Sequence, residues 1–183
     1  MKLYSHRIYS LKEAYQAIHE FFSTYHLHEA LEDLDRMYTW ACKEKYYKKT
    51  APSNILFHSQ QLHRLFSAAE IISYSTGKKI SPVLFHQTAD KPLPEHYAGG
   101  WAERSEWECF PRHLSAEEYL NPYWALDKIT EIPLWEQVLQ ELTEAALSTG
   151  TVEGWYPIET VIQWKEIMTQ IVEGAWLVEI REG

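Results

Sequence analysis

The side chains in this sequence best suited to holding a metal or moving a proton are nine histidines, joined by only two cysteines, Cys42 and Cys109. Spacing decides what they can do. His26 and His28 are two positions apart, about 200° around a helix, and His58 and His63 are five apart, about 140°. Neither pair has the i, i+4 spacing that brings two imidazoles to one ion on a helix. Histidines so placed are expected to pack or to cap. The richest stretch holds His86, Asp90, His96, Cys109 and His113, all residue types that zinc accepts. Only Cys109 and His113 are close in sequence, and Pro111 between them prevents a regular helix from joining them. A metal-dependent enzyme built on this stretch is therefore a minor alternative, and neither a metal site nor a cofactor is assigned.

Nucleophilic catalysis needs a Ser or Cys beside a base and an oxyanion hole. No Gly-x-Ser-x-Gly turn is present, and Cys42, between Ala41 and a lysine cluster, reads as a packing residue. Glu117-Glu118 reads as helix capping and Glu106-x-Glu108 as surface. Gly99-Gly100 lacks the following Gly-Lys-Ser/Thr of a phosphate loop. The pattern of an Arg, four to six intervening residues and a His, found in RNA-cleaving helical domains, is also missing, since Arg64 has no His at 69–71. No catalytic residue is assigned, and the chain reads as a non-enzyme.

Two binding patterns remain. Lys43, Lys45, Tyr46, Tyr47, Lys48 and Lys49 combine four cations with two rings, which could grip phosphates and stack on bases. Nucleic-acid binding through this patch is the first alternative. The leading expectation is a protein-interaction module, because Trp and Tyr are favoured interface anchors. Its candidate contacts are Tyr97, Trp101 and Trp107, together with the Glu-rich C-terminal half.

The elements that must position these residues are helical. Ser10-Leu11-Lys12-Glu13 is a capping box, and Leu11, Ala14, Ile18, Phe22 and Tyr25 follow on one face, which predicts a helix over 11–24. Leu27, Leu31, Leu34, Tyr38 and Ala41 predict a second over 27–48, with lysines in its last turns and Pro52 as its stop. Ser53 opens a third, with Ile55, Leu62, Phe66 and Ala69 inward and Gly77 at its end. Residues 78–114 show no apolar period and carry four of the eight prolines, so they read as an irregular middle segment. Ser115-x-x-Glu118 caps a short helix that Asn121-Pro122 interrupts. Pro133 opens the next helix, with Leu134, Val138, Leu142 and Ala145 inward. The last begins at Pro157 and carries a heptad-like seam of Val161, Trp164, Met168, Ile171, Ala175 and Val178. That seam could pack inside the chain or against a second copy. Gly174 within it predicts a close helix crossing.

The expected fold is mainly α: one helical domain over 1–183, of about six helices. The middle segment would mark any division into a three-helix unit, 1–77, and a C-terminal unit, 115–183. Composition agrees. Glu outnumbers Asp 22 to 4 and Leu outnumbers Val 18 to 6, a bias toward side chains that keep rotamer freedom in helices. The net charge of −9 is uneven: residues 1–100 carry +2 and residues 101–183 carry −11. An acidic half disfavours a phosphate backbone and suits a basic partner. No apolar stretch reaches the roughly 18 residues of a membrane span, and the first residues lack a signal peptide's apolar core. A cytoplasmic protein with reduced thiols is expected.

Overall fold

A computed structural model describes residues 8–44, 51–76 and 110–182. Among them are seven α-helices and no strand, so the chain is a mainly α, single helical domain. The helices are α1 (Leu11–Thr24), α2 (Leu27–Ala41), α3 (Pro52–Thr76), α4 (Ala116–Leu120), α5 (Tyr123–Asp127), α6 (Trp135–Leu147) and α7 (Ile158–Glu182). Short 3-10 turns follow α5 (Lys128–Glu131) and precede α7 (Val152–Gly154).

Two long helices form the centre. α3 packs against α1, α5 and α6, and α7 packs against α1, α2 and α5. Most of the middle of α3 is buried: His58, Ser59, Leu62, His63, Leu65, Phe66, Ala68 and Ala69 all face neighbours. Only a narrow stripe stays outside, with Phe57, Gln60 and Tyr74 exposed and Arg64 partly so. The α7 seam is wholly internal, with Val161, Trp164, Met168, Ile171, Ala175 and Val178 each buried within this one chain. Trp176 fills the middle, edge-on to Phe22 at 5.2 Å. Polar ties fix the register between elements: Tyr15 Oη to Tyr123 Oη at 2.9 Å, and Ser59 Oγ to Thr143 Oγ1 at 2.6 Å.

The α1 boundaries match the expectation, although Glu13 reaches back to the Tyr9 N–H rather than to that of Ser10. α2 is shorter than the periodicity suggests. It ends at Ala41, where Cys42 and Lys43 close a turn on Tyr38 and Trp40, so Lys43 lies beyond the helix. Past Ala41, Lys43 and Glu44 are exposed and have no core to hold them helical. Pro52 starts α3 instead of stopping α2: its missing N–H costs nothing in a first turn. Leu134 is the other correction. It sits outside α6 with φ 50°, ψ 45°, and its side chain is 75% exposed. Trp135 takes the inward position that the spacing gave to Leu134. α5 and the turn after it were missed because five-residue helices carry too few apolar positions to show a period.

Gly174 does mark a close crossing. A Cβ there would lie 2.7 Å from Ala125 Cβ and 3.0 Å from the Pro122 carbonyl oxygen. Only a glycine lets α5 approach α7 this closely.

Candidate functional site

α7 presents Gln170 and Glu173 one turn apart on the same face, toward the segment 110–115. Glu173 is 0% exposed. Its carboxylate accepts hydrogen bonds from the Arg112 N–H and the His113 N–H, each at 2.8 Å, and lies 2.9 Å from His113 Nδ1. Three donors replace the water that a buried carboxylate gives up. With a neutral ring the proton must sit on Nδ1, facing the acid. Gln170 Nε2 donates to the His113 carbonyl oxygen at 3.0 Å and its Oε1 accepts from Lys128 at 2.7 Å. Lys128 also pairs with Glu118. Burial pushes the Glu118 carboxyl up, but Lys128 and the Ser115 cap outweigh it and hold it below its ordinary value. A continuous polar chain thus ties the Arg112–His113 corner to α7, the turn after α5, and α4.

This corner forms one wall of a cleft of about 510 Å³. The facing wall is α2, which contributes Leu31, Arg36, Thr39 and Trp40, with Lys43 just beyond its end. His113 is half exposed toward the cleft side. Phe110, at the mouth, stacks on Tyr119 at 5.6 Å, and Arg181 lies over that ring at 5.1 Å. The Lys43 ammonium stands 4.9 Å above the Trp40 ring. The acidic groups of the rim are each engaged: Glu32 lies 3.8 Å from Arg36, and Asp35 pairs with Lys165. Arg36 is itself taken up by Asp33 and Glu32. The cleft therefore offers two rings, a hydroxyl, the Lys43 and Arg112 cations and an oriented imidazole.

Of the residues singled out from sequence, Tyr97, Trp101 and Trp107 lie outside the described residues. So do Lys45, Tyr46, Tyr47, Lys48 and Lys49, and His86, Asp90, His96 and Cys109. Lys43 is described, and it lines the cleft. His113 is described too, but it meets a glutamate, and no cluster of three metal-ligating side chains occurs among the described residues. His26 and His28 lie closer than helical spacing implies, with parallel rings at 6.1 Å, because His26 precedes the helix. His58 and His63 are buried, as expected for lone helical histidines. Cys42 is partly buried, and burial raises its thiol, which suits packing better than attack. Sequence reasoning missed Glu173. Its one signal was an acidic residue inside the apolar seam, beside Gly174. The chain matches no family model, no curated protein and no solved structure.

Proposed function

We propose that this protein binds a small anionic ligand carrying a flat ring, a carboxylate or phosphate of modest size, in the cleft between α2 and the Arg112–His113 corner. The observation that carries this reading is the buried Glu173 carboxylate, committed entirely to holding that corner against the cleft. Burying a charge is costly, and an acid in an apolar seam is a poor way to stabilise a helix pair. It is a good way to fix a backbone corner and an imidazole. Trp40 and Phe110 supply apolar faces for a ring; Lys43 and Arg112 supply charge for its anionic group. The reading is one of binding, without turnover. Calorimetric titration with benzoate, inorganic phosphate and a nucleoside monophosphate tests it. At least one should bind, and the double variant Lys43→Ala/Arg112→Ala should weaken binding about tenfold or more at unchanged melting temperature. Failure of all three to bind, or equal affinity in the variant, refutes the reading.

A second reading is docking of a basic partner protein on the acidic C-terminal half. The exposed side chains of Trp124, Leu134 and Trp155 favour it, since large apolar groups in an acidic field suit a partner that is apolar and cationic. A cytoplasmic location, with Cys42 as a free thiol, belongs to both readings. Among the described residues, no helix is long and apolar enough to cross a membrane.

A further inference from the structure

A second concavity, of about 450 Å³, lies where the last turns of α3 meet the start of α6. Its floor is Ile132 and Trp135, both buried, and its rim carries Tyr74 and Leu134, exposed by 72% and 75%. Two large side chains standing this far into water beside an apolar floor lose the burial that would stabilise their apolar parts. Leu134 has an added cost. It is the single non-glycine residue at positive φ among the described residues, a conformation in which the Cβ of an L-residue is strained against the backbone. Glycine would adopt it freely, and the leucine side chain contributes almost nothing to this chain's own core.

The charged groups lining the concavity are Glu70 and Glu136; no Lys or Arg lines it among the described residues. Glu136 is 57% exposed, and its neighbour His63, at 3.6 Å, is buried. Burial keeps the His63 ring neutral near pH 7, so it does not cancel the carboxylate. We infer that this groove docks a basic segment of a partner protein, one apolar side chain of which packs between Tyr74 and Leu134 while flanking lysines or arginines meet Glu70 and Glu136. The charge of the rim selects a cationic occupant: the acidic C-terminal half of a second copy of this chain would meet like charge. The inference rests on the docking reading and gives it a surface.

The test uses a short lysine–leucine peptide bearing a photo-crosslinker, and its counterpart with every lysine replaced by glutamate. Fluorescence anisotropy should show the basic peptide binding and the acidic one not. Crosslinks should map to α3 near Tyr74 or to residues 129–137. Tyr74→Ala and Leu134→Gly, which change no charge, should each weaken binding about tenfold. Leu134→Gly should do so without lowering the melting temperature, since it relieves the backbone strain; that separates lost contact from lost fold. Basic-peptide binding that crosslinks elsewhere, or that both variants leave intact, overturns the groove assignment while leaving the docking reading standing. No preference for the basic peptide over the acidic one overturns both.

Discussion

His58 is buried on α3, edge-on to Tyr25 at 5.1 Å, and neither ring nitrogen finds a hydrogen-bond partner among the described residues. Burial, helped by the Arg36 charge, lowers its pKa from 6.5 to about 3. A proton then binds the unfolded chain more readily than the folded one. Its contribution is fully present above pH 6.5 and is lost as pH falls toward 3. At about 1.4 kcal/mol per pH unit, the loss reaches roughly 2 kcal/mol by pH 5. Urea titrations from pH 7 to 5 should show that fall in the wild type and a flatter profile in His58→Leu. An equal slope in the variant would assign the acid sensitivity to other groups. Glu173 makes a different prediction at the same scale. Glu173→Gln keeps the shape but turns an amide N–H₂ toward groups that are themselves donors. The expected cost is about 1.5–3 kcal/mol, the range for hydrogen bonds to a charged group. The corner should loosen with it, read as faster amide exchange at Arg112 and His113. Unchanged exchange there would remove Glu173 from its positioning role.

Helix propensity and packing oppose each other at the α5–α7 crossing, and the distances decide which wins. Replacing Gly174 by Ala favours the helix by about 1 kcal/mol. The new methyl would lie 2.7 Å from Ala125 Cβ and 3.0 Å from a backbone oxygen, which cannot rotate away. Overpacking of this kind costs about 1–3 kcal/mol. Gly174→Ala should therefore lower the urea midpoint, and Ala125→Gly in the same chain should recover part of the loss. A midpoint that rises would mean that α5 shifts freely along α7. The same pair of helices shows what periodicity could read. The α7 seam was legible because three- and four-residue steps over five turns leave little choice of face. α5 was not legible: its place is set by Gly174 and by Tyr15 reaching Tyr123, both distant in sequence. Leu134 failed for a related reason, since a spacing pattern carries no record of a single backbone reversal at a helix entry.

The net charge of −9, concentrated in residues 101–183, acts on the molecule as a whole. Like charges repel more in the compact state than in the expanded one, and salt screens that repulsion. Added sodium chloride should raise the melting temperature by about 2–4 °C, the shift for roughly 1 kcal/mol in a chain of this size. A melting temperature that falls with salt would show that pairs such as Arg64–Glu20 and Lys165–Asp35 outweigh the repulsion. Residue types and their local recurrence determined the helical class, α1 to its boundaries, the α4 cap and the buried seam of α7, because those features arise between residues a few positions apart. The cleft and the groove were decided only by tertiary packing. The cleft joins Trp40, His113 and Glu173, and the groove joins Tyr74, Leu134 and Glu136. No local pattern links side chains separated by some sixty positions or more, so only the docking of one helix on another brings them together.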